Sequence, residues 1–209
     1  MREAMVSSQL RTTGVDDVRI VGAMATIERE EFVPASSRSV AYRDTAVPLG
    51  NGRYLNSPLA TGRLLNEAGV VQRDRVLLIG AATGYAAAIL AMLDAQVVAV
   101  EVDEGLLATA RSALGGVGGV EFVHAALADG HPDGAPYDVL IVDGAVEELP
   151  AALVAQLRVG GRIATGLVDR GVTRLASGRR TEGGAGTMAF ADAECVVLPG
   201  FARPTAFRF

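Results

Sequence analysis

Four short apolar runs in the middle of the chain, RVLLIG, QVVAVEV, VEFVHA and YDVLIVDG, alternate with stretches of helical spacing at 83–93, 104–114 and 147–157. Each run is rich in Val and Ile, is bounded by Gly or Asp, and is too short for a helix of ordinary length. Strands buried on both faces have this pattern. Strands that alternate with helices join through right-handed crossovers, so the segment predicts a mostly parallel sheet with helices on both faces. The fold class is α/β, doubly wound and Rossmann-like. Beyond Pro150 the chain continues as GGRIATGLV, GVTRLASGR and a segment at 189–198, which read as further strands joined by glycine-rich turns. The sequence TEGGAGT between them suits a hairpin turn.

The N-terminal third has a different rhythm. Val18, Val21, Met24 and Ile27 recur at helical spacing, with Asp16 placed to cap and Pro34 placed to stop the helix. The Gly- and Asn-rich stretch 42–57 reads as a surface loop. A new helix is expected to start at Ser57-Pro58, with Ser as the cap and Pro at the first helical position, and to run through Leu64 and Leu65 to Gly69. The chain therefore divides into a helical and loop extension, 1–57, and a sheet domain, 58–209.

Composition narrows the partners. The net charge is −5, and no long run of one sign appears, so nucleic acid is not expected. The apolar runs are interrupted well before the roughly 20 residues that a membrane-spanning helix needs. The N-terminal MREAMVSSQLRTT carries charges and lacks the features of a secretory signal, so a cytoplasmic location is expected. A lone Cys195 excludes an internal disulfide, and His124 and His131 have no cysteine or carboxylate cluster beside them. No metal site is expected.

Ligands of open α/β sheets bind at the carboxyl ends of the strands. The first strand ends in LLIGAATGY, which puts Gly80 and Gly84 in the turn to the next helix with the small Ala81, Ala82 and Thr83 between them. The absence of a Cβ lets a ligand approach the backbone there. The G-x-x-x-G spacing departs from the dinucleotide fingerprint, so the turn suits a compact ligand such as S-adenosylmethionine, its carboxylate meeting amides at the helix start. Glu101, with Val102 beside it, follows at the end of the second strand, where an acidic side chain accepts from both ribose hydroxyls. After the third strand, Asp129 is placed to accept from an adenine amine, and Gly130 leaves space beside the ring. Tyr85 is placed either at the edge of that pocket or in the core. Asp143, at the end of the fourth strand, either meets the methionine amine or simply ends the strand.

Several longer motifs add a resemblance. QLR at 9–11, GVDD at 14–17, REEFVP at 29–34, AYRD at 41–44 and PLGNGRYLNSP at 48–58 follow the order and spacing of the protein-L-isoaspartate O-methyltransferases. RVLLIGAATGYAAAILA, APYDVLIVDGA and ELPAALVAQLRVGGRI resemble the same family's strand regions. The resemblance implies a soluble enzyme of the S-adenosylmethionine-dependent methyltransferase fold. Such an enzyme methylates the carboxylate of L-isoaspartyl residues in damaged peptides and proteins.

Three departures accompany the resemblance. Asn56 stands where the family has the serine that lies beside the substrate carboxylate, Leu78 stands where it commonly has an acidic residue, and Ala82 stands where it often has Gly. Asn56 and its neighbour Ser57 are thus the catalytic candidates. The amide of Asn56 can donate to a carboxylate, and Ser57 can either offer a hydroxyl or serve only as helix cap. Two other readings stay open: a cofactor-binding chain without catalysis, and a methyltransferase for another acceptor. Cys195 reads as a small buried residue in a late strand, and Arg11 and Arg53 as surface arginines that either attract a carboxylate substrate or simply solvate a face.

Overall fold

The computed structural model describes residues 1–202. The chain opens with α1 (Arg2–Met5), whose helical turns continue to Thr13, and with α2 (Val18–Thr26). Asp17 caps α2, its carboxylate accepting from the Arg19 amide at 2.8 Å. The expected cap, Asp16, instead donates its amide to Asn66. The helix also ends sooner than its spacing predicted. Ile27 is extended, and a tight turn over Arg29–Phe32 carries both end residues into the interior.

The stretch 42–57 is not a surface loop. It contains the hairpin β1 (Val47–Gly50) and β2 (Arg53–Leu55), in which Val47, Arg53 and Leu55 are buried. Asn51 and Gly52 connect the strands at φ values of 50° and 70°, the double left-handed geometry of a two-residue hairpin turn. The helix α3 (Pro58–Ala68) follows, capped by Ser57, whose Oγ accepts from the Ala60 amide at 3.2 Å.

The sheet domain then runs β3 (Arg75–Ile79), α4 (Tyr85–Met92), β4 (Gln96–Glu101), α5 (Glu104–Ala113), β5 (Val120–His124), β6 (Tyr137–Val146), α6 (Ala151–Ala155), β7 (Leu157–Asp169), β8 (Val172–Thr181) and β9 (Gly184–Asp192). The strand order is β5-β4-β3-β6-β7-β8-β9, parallel up to β7 and antiparallel beyond it. Alternation along β3 sends Val76 and Leu78 to one core, shared with Met5, Leu10, Ile20 and Met24 of the extension. Leu77 and Ile79 go to the other, shared with Leu153. Among the described residues, no helix is long and apolar enough to cross a membrane.

Two late elements differ from expectation. Only Ala151–Ala155 of the segment 147–157 is helical, because Pro150 restricts the residue before it to extended backbone, and Leu157 already begins β7. The segment 189–198 divides at Asp192: β9 ends there, and residues 193–198 cross as a strap to the carboxyl end of β6. The strap is pinned by the Ala145 amide on the Val196 carbonyl at 2.7 Å and by the Leu198 amide on the Ala145 carbonyl at 2.9 Å. β3 pairs with β6 only as far as Val142, so the β6 backbone at Ala145 is left to the strap on that side. Cys195 therefore lies in the strap and not in a strand.

Candidate active site

The winding direction reverses between β3 and β6, and the crevice at their carboxyl ends is where such sheets take ligands. Gly80 leaves β3 at φ +79°, and Gly84 precedes α4 at φ +96°, conformations that side chains with a Cβ rarely adopt. Ala82 holds φ +49° in the same turn, a left-handed position for a residue with a Cβ. The turn's amides are less available than the sequence suggested. Those of Gly80 and Ala81 donate to the Val100 carbonyl, that of Ala82 to Glu101 and that of Gly84 to the Ala81 carbonyl.

Glu101 is fully buried at the end of β4. Its Oε1 accepts from the amides of Val102 and Asp103 at 2.9 and 3.1 Å, and its Oε2 accepts from the Ala82 amide at 2.8 Å. Arg53 closes the set, with Nε 3.1 Å from Oε1 and Nη2 2.8 Å from Oε2. This arginine is 4% exposed, so it is no surface residue. Beside it, Asn51 donates to Asp103 at 2.8 Å. A carboxylate offers about four acceptor positions, and five donors already use them.

Farther along the edge, Gly130 backs onto Gln156 and Leu153: an added Cβ would lie 2.7 Å from atoms of each. Asp129 is exposed, and its carbonyl accepts from Gln156 Nε2 at 2.7 Å. His131 donates its amide to Gln156, and His124 Nε2 lies 3.0 Å from the Val102 carbonyl.

The expected acceptor side is equally enclosed. Asn56, 2% exposed, points Nδ2 at Asp143 Oδ1 (3.1 Å) and at Cys195 Sγ (3.3 Å), while its Oδ1 accepts from the Val196 amide at 3.1 Å. Both amide hydrogens thus have partners. Thr61 donates to the same Asp143 oxygen at 2.9 Å. Burial pushes the Asp143 carboxyl up, against the lowering effect of the Asn56 and Thr61 bonds, and burial pushes the Cys195 thiol up to about 12.

Beneath this cluster the structure adds residues that the sequence did not mark. The guanidinium of Arg29, fully buried, donates Nε to the Ala41 carbonyl at 2.7 Å and Nη2 to the Asn56 carbonyl. It stacks 4.6 Å over the ring of Tyr85, which also meets Phe32 edge-on at 5.5 Å. Tyr85 therefore faces the extension, and Thr83 ties the turn to it by donating to the Phe32 carbonyl at 2.6 Å. A cavity of about 850 Å³ lies elsewhere, between α6, residues 147–149 and the β8–β9 hairpin, and no predicted site residue lines it.

The donor set still fits a nucleoside. A strand-end carboxylate of the type that takes a ribose diol stands beside a left-handed glycine turn, both at the switch point, and a buried arginine nitrogen there, Nη1 of Arg53, has no hydrogen-bond partner. Without the arginine, three backbone donors would remain on the carboxylate.

The family model described as protein-L-isoaspartate(D-aspartate) O-methyltransferase matches residues 1–191. The protein-L-isoaspartate O-methyltransferase of Methanoculleus marisnigri is 40% identical over 164 residues, covering 78% of this chain and 74% of its own. A solved protein-L-isoaspartate O-methyltransferase superposes with a TM-score of 0.83 at 26% identity, over 96% of this chain and 66% of that one. A Plasmodium falciparum chain solved in complex with S-adenosyl-L-homocysteine shares the fold, with a TM-score of 0.77 at 18% identity over 94% of this chain and 97% of that one. With the family's pattern running from the first residue through β8 and most of β9, the chain belongs to the protein-L-isoaspartate(D-aspartate) O-methyltransferase family.

Proposed function

We propose that this chain works in the cytoplasm and transfers the methyl group of S-adenosylmethionine to the carboxylate of L-isoaspartyl residues in damaged proteins, the step that begins their repair. The observation that carries the reading is Glu101, a carboxylate at the end of β4 hydrogen-bonded to the glycine turn at the sheet's switch point. When bound, the cofactor would supply an electrophilic methyl on sulfur to an acceptor carboxylate that needs no proton removed. The protein's part is then positioning and exclusion of water. Glu101 accepts from the ribose. Asp129 and Gly130 border the base, with Val102 at its edge, and the Gly80–Gly84 turn, with Ala81 and Thr83, carries the amino-acid end. Asn56 orients the acceptor carboxylate once its amide is released from Asp143 and Cys195, while Ser57 holds the start of α3.

One arrangement favours a second reading, a family member that binds without catalysing: both hydrogens of the Asn56 amide are engaged within the protein. The cofactor assignment is tested by calorimetry with S-adenosylhomocysteine, comparing Arg53→Gln with Arg53→Gln/Glu101→Ala, so that the competing arginine is absent from both. Loss of the charged acceptor is expected to weaken binding by about 1.5–3 kcal/mol, roughly one to two powers of ten. Equal affinities in the two folded variants would remove Glu101 from the site.

A further inference from the structure

Two side chains of the protein occupy the crevice in which the cofactor would lie. On one side is Arg53, carried by β2, bonded through two nitrogens to both oxygens of Glu101 and leaving that carboxylate 0% exposed. On the other is Leu198, carried by the strap and 4% exposed, seated between Gly80 and Gly144 at the ends of β3 and β6. A Cβ on Gly80 would lie 2.9 Å from Leu198 Cδ1, and a Cβ on Gly144 would lie 2.5 Å from Leu198 Cγ. The two glycines thus make room for this leucine at the switch point.

The two segments are joined by one residue. Asn56 follows β2 immediately, accepts from the Val196 amide and donates to Cys195 Sγ, so its amide links the hairpin that carries Arg53 to the strap that carries Leu198. The link is further anchored to β6 through Asp143.

Resting on the cofactor reading above, we propose that Arg53 and Leu198 form a two-sided closure of the cofactor crevice, stapled by Asn56, and that Arg53 competes with the ribose for Glu101. Arg53 is thereby an affinity-determining residue, because ligand binds only the fraction of molecules in which it has left the carboxylate. Apparent affinity scales with that fraction.

The full chain contains one cysteine, in the strap, so its thiol reports opening directly. The first arm titrates wild type and Arg53→Gln with S-adenosylhomocysteine by calorimetry. The variant is expected to bind about tenfold tighter or more, as the competent fraction rises. The second arm measures the labelling rate of Cys195 by a thiol reagent in wild type with and without S-adenosylhomocysteine, and in Asn56→Ser without ligand. Ligand is expected to accelerate labelling by displacing the strap, and Asn56→Ser to accelerate it by removing the staple. Equal affinities of wild type and Arg53→Gln would overturn the closure while leaving the cofactor reading standing, as would ligand that slows the labelling. Labelling no faster in Asn56→Ser would remove the staple. Binding by neither protein would reject the cofactor reading and the competition with it.

Discussion

Replacing either member of the Arg53–Glu101 pair with glutamine breaks the same buried contact, yet the two changes should differ in cost. Arg53→Gln leaves Glu101 with three backbone donors, the amides of Ala82, Val102 and Asp103, and an ionised carboxylate held by several amides remains compensated. The loss is two charge-assisted hydrogen bonds, offset because a side chain on a hairpin can turn toward water. We expect about 1–3 kcal/mol. Glu101→Gln instead leaves the guanidinium of a 4%-exposed arginine without its anion and points an NH2 group at donors that had an oxygen. Breaking a buried pair in this way costs about 3–5 kcal/mol, before any penalty for orphaned amides. The difference, about 2 kcal/mol, corresponds to more than tenfold in the unfolding equilibrium and is a large part of the stability of a typical domain. Urea unfolding at neutral pH, followed by far-ultraviolet circular dichroism, measures it as a shift in midpoint at constant slope. If Arg53→Gln proved as costly as Glu101→Gln, the three amides would not be holding the carboxylate, and the description of the strand end would be wrong.

Three further outcomes follow from the same contacts. Cys195, with its thiol raised to about 12 by burial, should resist Ellman's reagent in the native protein at mildly alkaline pH and react fully in denaturant; rapid native reaction would show the strap open at rest. Burial raises the Asp143 carboxyl above its unfolded value, so the native state binds more protons between the two values and stability falls as pH rises through that window. Asp143→Asn keeps an oxygen acceptor for Asn56 and Thr61, and its stability relative to wild type should therefore increase as pH rises above the ordinary carboxylate range in urea titrations; a constant difference would refute the shift. Gly130→Ala should destabilise by about 1–3 kcal/mol, because φ is +62° and the new Cβ would press on Gln156 and Leu153; a thermal melt unchanged from wild type would contradict that packing.

The parallel strands were legible because residues buried on both faces need no alternation, and uninterrupted Val and Ile runs such as QVVAVEV have few other uses. The glycine turn and Glu101 were legible through their spacing, and Ser57 through the Pro58 that follows it. Arg53 was not, because an arginine gives no sign of whether its partner is water or a carboxylate 48 positions away. A local signal did exist: Asn51-Gly52 marks a two-residue hairpin, and in a strand that starts at Arg53 the arginine and Leu55 share one face. Reading that turn would have turned the arginine inward with the leucine. Arg29 and Leu198 carried no such signal, since their burial depends on contacts between distant segments. Asn56 was legible only through its departure from the family's serine. Its contacts to Asp143, Cys195 and Val196 join positions up to 140 residues apart, and only the folded chain brings them together.

The central claim, carboxyl methylation of isoaspartyl residues, is tested most directly by one transfer assay. The purified chain is incubated with methyl-labelled S-adenosylmethionine and either an isoaspartyl peptide or the same peptide with ordinary aspartate. The account predicts label in a base-labile ester of the isoaspartyl peptide alone, at a rate that Asn56→Ser increases by freeing the acceptor side from the strap. Label in neither peptide, from a protein that binds S-adenosylhomocysteine and with Asn56→Ser equally silent, would contradict the claim and leave a chain that holds the cofactor without using it on this substrate.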